Sequence, residues 1–356
     1  MNISFLSNHI FPFHVGGSEM VIKNISEELS TMNHNVSVYG WDVTESISQN
    51  NVKINRYTLE KASSILEDSD VIIVYSDAFL KLNHIIKLNE KYKKKIILFP
   101  VGFTGSVSDS LLSSLVFNER SNLIFVCHDE SYLDALMLKE RNIKYSIIPN
   151  GINENEFFAQ REIFEISDKI NVLCVANTFP KKGHIELMRV CEMVNSIKPV
   201  ELNIHCHTPA WDVGKRLQSQ LINFSKKMPY KVNFLVDKKR SDVISSFYKN
   251  DIFLLCSLKE VAPICIIESC ASGLPWCSFD VGNVSNIPGG IVNDINKNKL
   301  NGYLHPSDEM LKEQSSIVIS LLSKSLRSKL SIEGLEFAKK ITWKKIANQY
   351  NEVINS

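Results

Sequence analysis

INVLCVANTFPKKGHIELMRV, residues 170–190, reads as three things in succession. INVLCVA is a short run of apolar and β-branched residues, the composition of a strand buried on both faces. NTFPKKG is polar, carries a proline and ends on a glycine, the chemistry of a turn. HIELMRV then opens an amphipathic stretch with apolar residues at helical spacing. A strand of that kind feeding a helix is half of a β-α-β unit, so the stretch belongs to a parallel sheet.

The same alternation runs outward in both directions. Ahead of it, strands are expected at NISFL, NVSVYG, KINRY, DVIIVY, KIILF, NLIFVC and YSIIP. Within and beyond it they are expected at INVLCVA, VELNIHC, KVNFLV, DIFLLC and PWCSF. Helix-like segments lie between them at 18–32, 78–92, 129–141, 183–197, 212–227, 240–249 and 264–272. The polar, acid-rich NENEFFAQREIFEISDK, residues 153–169, reads as a connection and places a domain boundary near 155–170. The expected class is α/β, with Rossmann-like doubly wound domains over residues 1–160 and 161–340. Ligands of such folds bind at the carboxyl ends of the strands, here in a cleft between the two domains. From residue 307 the chain reads as helical and closes on ITWKKIANQYNEVINS. Trp343, Ile346 and Tyr350 recur there at helical spacing and need an apolar surface to cover.

Bulk properties narrow the function. The chain has 356 residues, 44% hydrophobic and 22% charged, enough for two cores. A net charge of +1 gives no reason to expect nucleic acid. MNISFLSNHIFPF lacks the basic start and long apolar run of a signal peptide. No stretch approaches the roughly 18 apolar residues of a membrane span. A cytoplasmic protein is expected, with any contact to the inner face of the cell membrane peripheral. The eight cysteines form no CxxC pair and mostly sit in apolar strands, so they read as buried free thiols.

Two constellations carry chemistry. KEVAPICIIESCASGLPWCSFDVGN, residues 259–283, holds Glu260 in a loop after a strand and Glu268 within a helix, with seven residues between them. Free N–H groups at the start of that helix attract negative charge. Two carboxylates flanking such a helix start suit a ligand with sugar hydroxyls at both ends and phosphates between; two solvated helix carboxylates are the plainer alternative. In NTFPKKG, Lys181 and Lys182 precede a helix start, where lysine opposes the dipole and a phosphate ligand gives it a reason. A solvated lysine pair is the alternative there. A further glycine pair, Gly16-Gly17 in GGSE, opens a helix after the first strand, either to cradle a phosphate or only to turn the chain.

Together these residues resemble the family 4 glycosyltransferases, the glycosyl transferases of group 1. These are retaining enzymes of the two-domain GT-B fold. The family pattern of a glutamate, seven residues, a second glutamate and then small-small-Gly-x-Pro stands here as EVAPICIIESCASGLP. GGSE, IIPNGIN at 147–153, KKG at 181–183, DVGN at 280–283 and NGYLHP at 301–306 follow in the family's order.

The resemblance implies roles. Glu260 would hydrogen-bond the donor sugar, Glu268 would accept the ribose hydroxyls, and Lys182 would neutralise the diphosphate. Backbone groups of Pro263, Ile264 and Cys265 would bind sugar or phosphate, and Gly16 with Gly17 would approach the diphosphate from the other domain. It implies no cofactor and no metal beyond the nucleotide-sugar co-substrate, with a UDP-sugar favoured over a GDP-sugar. The acceptor would be a glycan or lipid-linked oligosaccharide held by the first domain, in loops such as 8–17 and 100–107. The last helix, about 341–356, would cross back to the first domain.

The chain departs from the family in three places. Asn177 stands where an arginine is usual, leaving Lys181 or another residue to compensate. Pro263 stands where glycine is frequent. PVGFTGS, residues 100–106, lacks the family's histidine, which makes His128 in VCHDES the nearby catalytic candidate, with local packing as its alternative.

Other features read more plainly. DSD at 68–70 resembles the DxD metal motif of the other glycosyltransferase fold, but it precedes an apolar strand instead of ending one and reads as a solvated turn. KYKKK at 91–95 is a helix end or a peripheral contact to anionic lipid. His205 and His207 read as packing, with contact to the donor as the alternative, and Phe11 and Phe13 line the acceptor side or staple their loop. The expected activity is retaining transfer of a sugar to a surface-polysaccharide or lipopolysaccharide acceptor. A nucleotide-sugar-binding partner without turnover and a sugar-nucleotide epimerase are the rivals.

Overall fold

The structure is a computed structural model and describes residues 1–75, 79–99, 123–128, 143–166, 168–209, 212–293 and 306–356. The helix expected at 129–141, the PVGFTGS loop and most of NGYLHP lie outside the described residues. The chain forms two compact units, Met1–Gly151 with Trp343–Ser356, and Ile152–Thr342.

The first unit carries β1 (Asn2–Ser7), β2 (Asn35–Gly40), β3 (Ile47–Gln49), β4 (Val52–Arg56), β5 (Val71–Tyr75), β6 (Lys95–Phe99), β7 (Leu123–Cys127) and β8 (Tyr145–Ile147). They form one sheet in the order β3-β4-β2-β1-β5-β6-β7-β8. All neighbours are parallel except β3 with β4. Its described helices begin with α1 (Gly17–Thr31), α2 (Ala62–Asp68) and α3 (Phe79–Tyr92). β1 pairs with both β2 and β5, so the strand order reverses there. The residues explain its place: Ile3, Phe5 and Leu6 are all buried, as a strand covered on both faces requires. On α1 the apolar face of Val21, Ile22, Ile25 and Leu29 is buried.

The second unit carries β9 (Ile170–Val175), β10 (Val200–Cys206), β11 (Lys231–Val236), β12 (Ile252–Leu255), β13 (Trp276–Phe279) and β14 (Gly290–Asn293). Its order is β11-β10-β9-β12-β13-β14, parallel throughout. The helices are α4 (His184–Asn195), α5 (Asp212–Ser225), α6 (Arg240–Lys249), α7 (Ile264–Ala271), α8 (Asp308–Ser320) and α9 (Lys324–Ala338). β9, the strand of the opening quotation, is central, with Ile170, Val172, Leu173 and Cys174 fully buried. All eight cysteines are free, and all but the half-buried Cys265 are buried.

The division between units falls after Gly151, ahead of the polar stretch and not within it. That stretch is tied to the second unit by its own side chains. Phe157 packs edge-on to Phe247 at 5.8 Å, and the Phe158 N–H donates to Ala271 O at 3.1 Å. Arg161 Nη1 donates to Phe247 O at 2.7 Å. With these contacts the stretch is not a free linker.

The last helix, α10 (Trp343–Asn355), belongs to the first unit and packs on α1. Tyr350 is fully buried and stacks on Phe99 at 5.2 Å. Lys95 Nζ donates to Ile354 O at 2.9 Å, where a cation also suits the helix's negative end. Lys95, from the KYKKK run, thus serves as a helix cap. Tyr350→Ala should cost the first unit about 3–5 kcal/mol, the range for emptying a large aromatic site. Urea unfolding followed by hydrogen exchange should show protection lost in β6 and α1 before the second unit opens.

Candidate active site

In the second sheet, β9 pairs with both β10 and β12, so the strand order reverses between β9 and β12. Ligands of open parallel sheets bind outside the carboxyl ends of strands at such a reversal. The two loops leaving these strands are 176–183 and 256–263. They carry both of the constellations read from the sequence.

The first loop turns through a single 3-10 turn, Pro180–Lys182, into Gly183, which caps α4. Gly183 has φ +61, and a Cβ there would lie 1.8 Å from the carbonyl oxygen of Cys256. No other residue type fits that backbone conformation so close to a second chain segment. The contact continues as Leu258 N donates to Lys181 O at 2.7 Å. On its other side the second loop meets DVGN. Gly282, at φ +59, would place a Cβ 2.2 Å from Val261 O, and Asn283 N donates to that same oxygen at 3.0 Å. The loop bearing Glu260 is therefore clamped between two glycine turns.

This clamp sets Lys182 Nζ 2.6 Å from Glu260 Oε1, with the side chains 21% and 9% exposed. Burial works against the ammonium charge, but Glu260's charge and hydrogen bond outweigh it and hold the Lys182 pKa above its ordinary value. The pair is a cation fixed beside a carboxylate at the sheet's reversal.

Glu268 has a different partner. It lies on α7, which starts at Ile264 after Pro263 with no side-chain cap. Burial raises its pKa, against the pull of Arg240, whose Nη2 sits 2.6 Å from Glu268 Oε1. Arg240 also donates from Nε and Nη2 to Glu156 Oε2 at 3.0 and 2.7 Å. Its guanidinium lies over the Phe157 ring at 5.5 Å. The two carboxylates thus stand in separate ion pairs. Cys265 feels both: burial first, then the charge of Glu260, push its thiol well above the ordinary range.

Asn177 faces inward to its own loop. Its Oδ1 accepts from His207 N at 3.3 Å, and its carbonyl accepts from His184 Nε2 at 3.1 Å. His184 is buried, and burial takes its pKa down to about 4, so the ring is neutral at pH 7. Asn177 thus braces the strand ends. His205 donates to or accepts from Ser246 Oγ at 2.7 Å. His207, just past the end of β10, sits 3.5 Å from Asp237.

The remaining candidates are in the first unit. Gly16 is the N-cap of α1 and Gly17 its first residue, at the end of the loop leaving β1. Gly16 has φ −164, an extended backbone open to any residue. A Cβ there would meet only the carboxylate end of Glu19, a flexible side chain. His128, directly after β7, is buried and its Nδ1–H donates to Ile148 O at 3.1 Å. Burial lowers its pKa to about 4 against that hydrogen bond, leaving the ring neutral. DSD is a brace: Asp70 Oδ2 accepts from Asn2 N at 2.7 Å.

Sequence reasoning missed Arg240 and Glu156. The signal for Arg240 was the basic KKR at 238–240, which follows β11 at the same end of the same sheet. Thr178 Oγ1 and Ser257 Oγ were missed as well, and both are buried in these loops without a hydrogen-bond partner.

Solved structures share the fold. Sucrose-phosphate synthase from Thermosynechococcus elongatus superposes with a TM-score of 0.77 at 15% identity, over 99% of this chain and 98% of that one. HepE of Anabaena, in complex with UDP and glucose, gives 0.74 at 13% identity, over 100% of this chain and 99% of that one. These fix the fold as GT-B. In sequence, an Escherichia coli UDP-Gal:alpha-D-GlcNAc-diphosphoundecaprenol alpha-1,3-galactosyltransferase is 24% identical over 246 residues, 64% of this chain. That match spans 58% of the relative's own length. The family model of glycosyl transferases group 1 matches residues 156–334, the segment that holds Glu156, the lysine turn, Arg240 and both glutamates. On that match, the chain belongs to the glycosyl transferases of group 1.

Proposed function

We propose that this glycosyltransferase takes a nucleoside-diphosphate sugar, a UDP-sugar by preference, and transfers its sugar with retained anomeric configuration. The acceptor is a hydroxyl of a glycan or lipid-linked oligosaccharide in bacterial surface-polysaccharide synthesis. The observation that carries the reading is the Lys182–Glu260 pair, fixed at the strand reversal by two glycine turns.

Departure of a nucleoside diphosphate demands stabilisation of developing negative charge, and a preorganised cation meets it without reorganisation. Lys182 supplies that cation, with Lys181 beside it and the uncapped start of α7 as further donors. The reading assigns this step no metal. Glu260 is the acceptor for sugar hydroxyls, which orient the anomeric carbon. Arg240 engages Oε1 of Glu268, and Oε2 is the oxygen for the ribose hydroxyls. Gly16 and Gly17 are given to ligand approach, because neither backbone strain nor core packing accounts for Gly16. His128 serves its own unit as a neutral packed ring unless substrate displaces the Ile148 bond. The lipid-linked acceptor named for the Escherichia coli relative supports a glycolipid substrate, as does the UDP bound by HepE for the donor. Among the described residues no helix is long and apolar enough to cross a membrane, so contact with such an acceptor is assigned to the protein's surface.

The test is a panel of UDP-, GDP- and dTDP-sugars read by thermal shift, then by release of nucleoside diphosphate with membrane extract as acceptor. A ligand that binds the native state raises its melting temperature by mass action. Release supports transfer, and a changed sugar marks an epimerase. Binding with neither marks a partner protein without turnover. Glu268→Ala should weaken the nucleoside diphosphate about ten- to a hundredfold, the value of a hydrogen bond to a charged group. Unchanged affinity removes Glu268 from the ribose.

A further inference from the structure

We propose that His9, His14 and Asp42 form a binding site for one divalent transition-metal ion of the zinc type on the first unit. The donor atoms of the three side chains all lie within 4.8 Å of one another. His9 Nδ1 is 3.3 Å from Asp42 Oδ2, and His14 Nε2 is 3.7 Å from the same oxygen. The imidazole centroids are 4.3 Å apart. Zinc holds nitrogen and oxygen ligands at about 2.0–2.2 Å in a tetrahedron, which sets ligand atoms roughly 3.3–3.5 Å apart. Both separations fall near that edge length. Hydrogen bonding does not account for the second, since 3.7 Å is beyond a bond between such groups.

The backbone holds the three residues in place. His14 N donates to Ile10 O at 2.9 Å, closing the turn that follows His9 and ends on His14. Ser7 Oγ donates to His9 O at 3.0 Å, and Trp41 N donates to Asn8 O at 3.2 Å, tying the turn to the end of β2. Ile10 is 1% exposed beneath it. Gly40 makes the close approach feasible, for a Cβ there would lie 2.8 Å from Ile10 Cγ1 and 3.0 Å from Asp42 Oδ1.

Asp42 supplies an independent reason. Its side chain is only 16% exposed, and Oδ1 is buried with no hydrogen-bond partner. Among the described residues no lysine or arginine pairs with it. With Oδ1 turned inward against Gly40, the charge of this secluded carboxylate is open on Oδ2, the oxygen that faces both imidazoles, and an ion bound there compensates it. Two imidazoles with one carboxylate favour Zn²⁺, Co²⁺ or Ni²⁺ over Mg²⁺ or Ca²⁺. Three protein ligands leave a fourth position for water or an anion. Bound there, the ion adds positive charge two residues before Gly16 and locks the loop that leads into α1. The site is independent of the transferase reading and is tested without turnover.

The experiment strips the full chain with chelator and titrates it with Co²⁺, followed by visible absorption and by competition with Zn²⁺ and Mg²⁺. The expected result is one equivalent bound with the intense bands of a four-coordinate ion, displaced by Zn²⁺ and not by Mg²⁺. His9→Ala and His14→Ala should each weaken binding at least about tenfold, and Asp42→Asn likewise. His207→Ala, at the other histidine–aspartate pair, should leave the spectrum unchanged. His9 and His14 are 47% and 34% exposed, so their substitution spares the core, and circular dichroism of the variants verifies folding. No cobalt bound at millimolar metal overturns the proposal. So does an unchanged spectrum in the His9→Ala/His14→Ala double variant.

Discussion

Lys182→Ala is expected to lower turnover by about 10²–10³-fold, the effect of removing one preorganised donor from a developing anion. The size follows from position. Lys182 is held by a 2.6 Å contact to Glu260 on a loop clamped at Gly183 and Gly282, so its charge is in place before the diphosphate begins to leave. Affinity for donor should fall less, because Lys181 and the α7 amides still attract the ground-state charge. The variant also takes from Glu260, only 9% exposed, the cation paired with it. Removing one partner of a buried pair costs up to about 3–5 kcal/mol, less where water still reaches the charge. Lys182→Ala/Glu260→Gln separates the effects: it should recover stability and leave turnover low. Steady-state kinetics at saturating donor, with urea unfolding of both variants, makes the measurement. Wild-type turnover in a folded Lys182→Ala protein would sink the assignment of this reversal as the transfer site.

The largest stability effect is expected at Gly183. An alanine would have to hold φ +61 with its methyl carbon 1.8 Å from Cys256 O. The left-handed conformation alone costs roughly 1–2 kcal/mol. The larger share is steric, because the atom in the way is backbone and cannot rotate aside. A loss beyond about 4 kcal/mol is expected, in the range reserved for a few named failures of packing or strain. It should open the second unit, measured by hydrogen exchange in β9 and β12, and leave amides of β1 and β5 protected. Should Gly183→Ala unfold with the wild-type midpoint, the loop is not clamped as described. Gly16 is the instructive contrast, a glycine whose own backbone makes no such demand.

Much of this was readable in the residues, for definite reasons. Strands covered on both faces must be apolar almost throughout, so VIIVY and INVLCV announce themselves, and helices between them force parallel pairing. β3 escapes that logic because ISQ is polar and is held as an edge strand only by its pairing with β4. β14 opens on Gly290, whose place is set by Trp276 pressing against it from the next strand, a contact no local pattern reveals. The lysine turn and the glutamate spacing were visible as chemistry, and α7 starts at Ile264, where the helix of 264–272 was expected. Their partners were not visible. Nothing around Glu268 in sequence points to Arg240 or Glu156, because the ion pairs are made by tertiary approach. The same is true of His9, His14 and Asp42, which only the return of β2 beside β1 brings together.

The last helix has a consequence for biosynthesis. The first unit is assembled from both ends of the chain, Met1–Gly151 and Trp343–Ser356, whereas the second is one continuous segment. Domains tend to fold in the order they are made. Here the ribosome releases Tyr350, which covers Phe99, only after every residue of the second unit has been made. The unit made first is therefore the one completed last. Until then the ring of Phe99 lacks the aromatic cover that Tyr350 brings to it.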